Sequence, residues 1–302
     1  MSVKDLLQDY KKRKYIYWMM VPVMIYYVVF HYIPMLGQVI AFQSYRPARG
    51  ILGSPWVGLR NFITFFRGPF SGRVIKNTII LSLYDILFVF PMPIILALLL
   101  NELRGGKFKR IAQTITYMPH FISLVIMCGM IVNFTSSRGV ITSLLGWFGL
   151  SPTNLLSKPQ YFRTIYTAST VWKTIGWGSI IYLATLSTVD VNLYEAASID
   201  GAGRFRKIYH IMIPSLIPIV AIQLIMRIGN IMSMGAEKVI LLYSPIVYDT
   251  ADTISSYVYR VGLSEQNYSL ASAVGMFNSV VNLGLLVFAN WFSRRYVQES
   301  LW

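Results

Sequence analysis

Six long apolar runs govern what this chain of 302 residues can fold into. A helix needs about 20 apolar residues to cross the hydrocarbon core of a bilayer. Runs of that length lie at about 18–40, 77–100, 111–134, 166–187, 213–235 and 269–291. The second is the most uniform: IILSLYDILFVFPMPIILALLL carries a single charge, Asp85. Pro34, Pro91, Pro93 and Pro119 interrupt several runs, and neighbouring helices in a bundle satisfy the backbone groups that proline frees. Hydrophobic residues make up 55% of the chain and charged residues 13%, about half the roughly 25% charged residues usual in soluble domains. A soluble globular domain and a disordered chain are both excluded. The expected fold is an all-α membrane protein with six transmembrane helices. Cys128 is the only cysteine, so no disulfide and no cysteine-based metal cluster forms within one chain. No cleavable signal peptide is expected, because the first run carries Pro22, His31 and Pro34 and lacks a small-residue cleavage site.

The 27 Lys and Arg exceed the 12 Asp and Glu, a net charge of +15. In a chain this apolar the excess reports membrane orientation rather than nucleic-acid binding. With the N-terminus inside, four short inner segments hold 14 cations, clustered at 4–14, 104–110, 204–207 and 294–295. The outer loops hold 11 spread over considerably more residues, and Lys173 and Arg227 remain within spans. This density places both termini in the cytoplasm and the chain in the cell membrane as a multi-pass protein. The basic, aromatic segment DLLQDYKKRKYIYW before the first run reads as an interfacial anchor.

Between the fourth and fifth runs lies VDVNLYEAASIDGAGRFRKIYHIMIP, residues 189–214. It is too polar to span a membrane and too patterned for a simple connector. Asp190 or Asn192 caps a short helix that includes 193–199. Ala196 and Ala197 leave one face small, and Gly201 ends the helix. Phe205, Ile208, Tyr209 and Met212 then form the apolar face of a second stretch that enters the fifth run at Pro214. Such a projecting helix suits docking in a groove; lying flat on lipid is the plainer alternative.

Glu195-Ala196-Ala197, Asp200-Gly201-Ala202, Ile211 and Ile213-Pro214 resemble the EAA signature of permease subunits of ABC importers, with Ile213 in place of the usual leucine. The resemblance covers about 72–291, five of the six runs. Residues 1–71, with the first run and its outer loop, look like the N-terminal addition of carbohydrate permeases, and 292–302 form a cytoplasmic tail. The resemblance implies the type I ABC importer permease fold, two permease subunits that are usually non-identical, two separate ATPase subunits and an extracellular solute-binding lipoprotein. It also implies that the loop at 189–214 couples the pore to the ATPases through Glu195, Ala196, Ala197, Asp200, Gly201, Ala202, Ile211 and Pro214. This chain catalyses no covalent chemistry on that reading: it has no G-x-x-x-x-G-K-[ST] loop, and its nearest fragment, Gly105-Gly106-Lys107-Phe108, lacks the first glycine and the hydroxyl residue. ATP and Mg are expected on the partner ATPase, with no cofactor or metal in this chain.

The last third of the chain looks like permeases of the Gram-positive type for complex oligosaccharides or polysaccharide fragments. Tyr243-Ser244-Pro245 stands where many carbohydrate permeases have GGP. Counted from the EAA motif, Lys173, Thr174 and Trp177, and also Arg227 and Asn230, match positions that line the sugar site in permeases for maltose. Trp172 and Trp177 offer apolar faces to sugar rings. Lys173 and Arg227 suggest a substrate that carries carboxylates; the plainer reading is neutralisation by Asp85 or by an acid of the partner subunit.

Other features carry less. His31, His120 and His210 are far apart in sequence and suit packing or hydrogen bonding rather than a metal site. Asp249 and Asp252 lie in an outer loop and read as solvated. Gly129, Gly176, Gly178 and Gly284 read as helix-packing positions. The aromatic outer loops at 43–76 and 135–163 either cap the bundle or receive the solute-binding protein. A secondary transporter needs coupling acids within the spans, and Asp85 is the one carboxylate well inside. A membrane enzyme needs an acid/base or metal constellation, and the chain shows none.

Overall fold

A computed structural model describes residues 3–103, 105–149, 153–233, 235–297 and 300–301, with side chains from residue 12 onward. Arg104, counted above among the inner cations, lies outside the described residues. Helices dominate: α1 (Lys12–Phe42) and α2 (Ser71–Glu102), α3 (Lys107–Tyr117), α4 (Leu124–Thr135), α5 (Val140–Gly146), α6 (Pro159–Ser187) and α7 (Val191–Ile199), α8 (Arg204–Gly229), α9 (Ala236–Leu242), α10 (Ile254–Tyr259) and α11 (Tyr268–Tyr296). The one β feature among the described residues is an isolated bridge, Gln43 with Trp56.

Five segments are long and apolar enough to cross a membrane: α1, α2, Leu124–Gly146, α8 and α11. At 29 residues, α6 is about 43 Å long, but it carries Arg163, Lys173 and several hydroxyl residues. The continuous third helix expected over 111–134 is broken. Pro119 sits in a 3-10 turn, Met118–Phe121, and Ser123 caps a new helix by accepting the Ile126 N–H. The fifth segment is also displaced from 213–235: α8 begins at Arg204 and stops at Gly229.

Prolines shape the helices in a consistent way. Wide π turns run over Val28–Tyr32, Asp85–Val89 and Ile208–Met212. Each ends two residues before a proline, at Pro34, Pro91 and Pro214. In each, the residue preceding the proline donates its N–H five residues back, as Phe90 does to Asp85. A proline ring collides with the carbonyl four residues earlier, and a widened turn relieves that collision without ending the helix. Proline at 214 is thereby tolerated where loop becomes membrane helix.

Helix α2 packs along α6, and α8 along α11. Gly176 lets α6 touch the α3 backbone: a Cβ there would lie 2.0 Å from the Thr116 carbonyl oxygen. Gly178 likewise admits Pro93. Gly129 and Gly284, expected to serve the same purpose, face open space within this chain. The apolar core has three parts. One, around Ala97, Tyr182, Leu186, Met212 and Leu216, lies toward the 189–214 loop. The others, around Phe65, Val74 and Ile254 and around Met127, Phe162 and Val239, lie toward the far end. None of the apolar stretch of α1 is buried within the chain.

Candidate functional site

A cavity of about 640 Å³ opens between α2, the 118–121 turn, α6 and α8. Its wall includes Thr174, Trp177, Gln223, Arg227 and His120. The His120 ring stacks on the Trp177 indole, with centroids 4.3 Å apart and planes 4° from parallel. Phe121 meets the same indole edge-on. The break at Pro119 makes this possible, because a continuous helix through 111–134 would carry His120 elsewhere. His120 reads in sequence as a packing or hydrogen-bonding residue, and its stacking on Trp177 could not be read from residue spacing. Flat rings beside amides and hydroxyls form a surface suited to a sugar: C–H faces lie on the rings and hydroxyls meet the polar groups.

Of the residues singled out by position, Thr174, Trp177 and Arg227 line this cavity. Asp85 lies behind it, buried, and accepts both Nε and Nη2 of Arg227 in a two-pronged ion pair. A buried carboxylate is retained at such depth only when paired. Asn230 is exposed just past the end of α8. Trp172 points into a different cavity, at the far end. The reason is angular: at 100° per residue, Trp172 and Trp177 project about 140° apart.

Lys173 donates to the Ile122 carbonyl at 2.9 Å, a carbonyl near the α3–α4 break. Lys238, buried, donates to the Tyr166 carbonyl at 2.7 Å and to the Thr170 hydroxyl, and it lies over the Tyr166 ring. Burial lowers its ammonium to about 7 from the ordinary lysine range. Among the described residues, neither lysine forms an ion pair with a carboxylate. Tyr166, Thr170, Lys173, Thr174 and Trp177 recur at three- and four-residue steps, so these contacts share one face of α6.

Asp252 is not solvated. It is fully buried, bridged to Arg260 at 2.7 and 3.0 Å and approached by Arg73. Its carbonyl accepts from Asn77, which in turn accepts from Arg163. These bonds tie α2, α6 and α10 together at the far end. Asp249 is exposed beside Arg73, as expected of a surface acid. The loop aromatics divide in the same manner. Phe65 is buried, whereas Trp147 and Phe148 are each 83% exposed.

The 189–214 loop projects from the opposite end. Asp190 caps α7 by accepting the Asn192 N–H at 2.9 Å. After Asp200, Gly201 adopts φ +73°, a conformation costly for any residue with a Cβ. Its N–H donates to Ser198, and that of Ala202 donates back to Ala197 at 2.8 Å, the paired bonds of a Schellman turn. Tyr194 packs on the core around Leu186 and Met212. Lys207 donates to the Ser198 hydroxyl, and Arg204 reaches Glu102 of α2 at 3.9 Å. Val191, Leu193, Ile199, Phe205 and Tyr209 stay exposed. Glu195, Ala196 and Asp200 are exposed too, Ala197, Ala202 and Ile211 are half-buried, and Pro214 is exposed. His210 donates from Nδ1 to the Arg206 carbonyl at 3.0 Å, and His31 packs among the tyrosines of α1.

Residues 70–298 match the family model described as binding-protein-dependent transport system inner membrane component. The chain is 41% identical over 300 residues to the polygalacturonan/rhamnogalacturonan transport system permease protein YteP of Bacillus subtilis, covering 99% of this chain and 94% of that protein. It is also 41% identical to protein LplB of Bacillus subtilis over 292 residues, 96% of this chain and 92% of that one. Its fold matches a chain of a bacterial ABC transporter involved in the import of the acidic polysaccharide alginate, with a TM-score of 0.90, 43% identity and coverage of 97% of this chain and 99% of that chain. A second match, at TM-score 0.91 and 42% identity over 98% of this chain and 99% of that one, is to the alginate transporter in complex with a periplasmic protein bound to an alginate pentasaccharide. This multi-pass membrane chain belongs to the binding-protein-dependent transport system inner membrane component family of ABC importer permeases.

Proposed function

We propose that the chain forms one half of the pore of an ATP-driven importer of acidic oligosaccharides. The observation that carries this reading is mechanical continuity. The ring-walled cavity lies on α6 and α8, and these same two helices run directly into the projecting loop. Trp177 is ten residues from the end of α6, about 15 Å of rigid helix. Movement of the loop therefore moves the cavity wall. The exposed apolar residues of the loop, with the small face at Ala196 and Ala197, suit a groove in a separate ATPase subunit, which holds ATP and Mg. Six spanning helices, α6 included, put both termini and this loop in the cytoplasm. A second permease supplies the other half of the pore, and a solute-binding lipoprotein delivers cargo to the far end.

The acidic nature of the cargo rests on charge accounting. Arg227 is paired with Asp85, the plainer of the two readings its position allowed, so it is not a free cation. Lys173, next in sequence to the cavity-lining Thr174, has a neutral acceptor only, and a half-buried ammonium without a counter-charge is costly. A substrate carboxylate beside the Thr174–Trp177 face supplies that counter-charge. The similar proteins named for polygalacturonan and for the acidic polysaccharide alginate support the same class. The alternative of an ion-driven transporter loses its coupling acid, since Asp85 is held by Arg227.

The test is uptake by the assembled importer in proteoliposomes, with its binding protein, using an oligouronide and its carboxyl-reduced, neutral counterpart. Uptake that requires internal or external ATP according to ATPase orientation, ignores a proton uncoupler and favours the oligouronide is expected. Uptake that collapses with the uncoupler and ignores ATP sinks the importer reading, and equal uptake of both sugars sinks the acidic one.

A further inference from the structure

The far-end cavity into which Trp172 points plays no part in the transport reading. It holds about 480 Å³ between α4, α5 and α6. Met130 and Phe134 of α4, Leu145 of α5, and Ile165, Ala168 and Trp172 of α6 give it an almost wholly hydrocarbon wall. The hydroxyls of Thr135 and Ser169 in its wall donate to carbonyls of their own helices. The cavity has a measurable length: Lys158 lies at the N-terminal cap of α6 and Trp172 fourteen positions along, about 21 Å. One leaflet with its headgroup layer is about 20–22 Å thick.

The ends of the cavity differ. Lys158 is the one charged residue of the lining, and it lies at the far-end mouth with Tyr161 one turn below. Arg138 is exposed in the turn between the lining residues Thr135 and Ile141. All three walls come from a stretch without a single acid, since no Asp or Glu occurs between Glu102 and Asp190. A cationic mouth, an interfacial aromatic and a dry slot one leaflet deep match an amphiphile with a negative head.

We propose that this cavity is a binding site for an anionic phospholipid: one acyl chain fills the slot down to Trp172, and the phosphate is held by Lys158 and Arg138. An acyl chain restores the dispersion contacts that an empty apolar slot forfeits, and the two cations select its headgroup.

The assembled importer, placed in vesicles of phosphatidylethanolamine and phosphatidylglycerol, tests this. The probe is phosphatidylglycerol bearing a diazirine near one acyl terminus, with cross-links mapped by mass spectrometry. Labelling concentrates on peptides that contain Ala168 and Trp172, and unlabelled phosphatidylglycerol competes better than phosphatidylcholine. Ala168→Phe fills the slot and removes most of that labelling. Lys158→Gln, at the mouth and outside the packed wall, weakens the competition by phosphatidylglycerol about fivefold. Labelling spread evenly over the lipid-facing side of α11 overturns the site. So does equal competition by the two lipids, or protection of the slot by a segment of the second permease.

Discussion

Helix α6 presents two unlike faces to two cavities. One face, through Thr170, Lys173, Thr174 and Trp177, carries polar and cationic groups, and its Thr174 and Trp177 line a cavity with stacked rings and an ion pair behind it. The other, through Ile165, Ala168 and Trp172, is almost wholly apolar. Both faces belong to one helix, which with Arg163, Lys173 and several hydroxyl residues is less apolar than the five spanning segments. The difference teaches that, at bilayer depth, polarity is a property of a helix face rather than of a helix: each buried polar group must find its partner from a neighbouring element.

The largest effect is expected where the polar face meets the backbone of α3. Gly176→Leu puts side-chain atoms where the Thr116 carbonyl lies, and overpacking of that kind costs several kcal/mol. Loss of the complex on size-exclusion chromatography is expected; a normal yield of active importer would contradict the α3–α6 contact.

Next comes the ion pair behind that face. Arg227→Met leaves Asp85 buried and unpaired, at a cost of about 3–5 kcal/mol. Thermal unfolding in detergent reads this loss, and the double variant Asp85→Asn with Arg227→Gln regains most of it. Because Arg227 is neutralised, Arg227→Gln alone lowers uptake of acidic and neutral oligosaccharides alike. A selective loss of the acidic one would restore Arg227 as the recognising cation. By contrast, Lys173→Gln lowers uptake of the acidic sugar about tenfold and spares the neutral one, and Lys173→Arg retains the preference.

A smaller cost to stability, about 1–2 kcal/mol for a Cβ in the left-handed region, attends Gly201→Trp in the loop. Membrane insertion stays intact while uptake and ATPase co-purification vanish; wild-type uptake would remove the coupling role from α7. The two tryptophans give the sharpest contrast with the least disturbance. Trp177→Ala removes a stacked pair worth about 1 kcal/mol and lowers sugar uptake. Trp172→Ala leaves uptake unchanged, and equal losses in transport assays would merge the two cavities into one path.

Much of the architecture was legible in the sequence because the bilayer leaves few choices. Apolar runs near 20 residues, a capped polar loop between two of them and Gly201 at the end of a short helix each follow from local chemistry. Thr174, Trp177 and Arg227, singled out by position, line one cavity. What stayed hidden depends on partners distant in the chain. His120 reaches Trp177 only because Pro119 and Ser123 break the third run. Asp252 looks like a loop acid until Arg260, Arg73 and Ser256 close around it.

The sequence by itself determined that this chain is helical, crosses a membrane several times and carries a projecting EAA loop, since hydrophobic length and capping act within a few turns of helix. Tertiary structure alone decided which cation Asp85 neutralises, which tryptophan faces which cavity and which polar loop residues are buried. Those outcomes turn on the rotation of one helix against another, and a shift of one residue, 100°, exchanges the polar face for the apolar one.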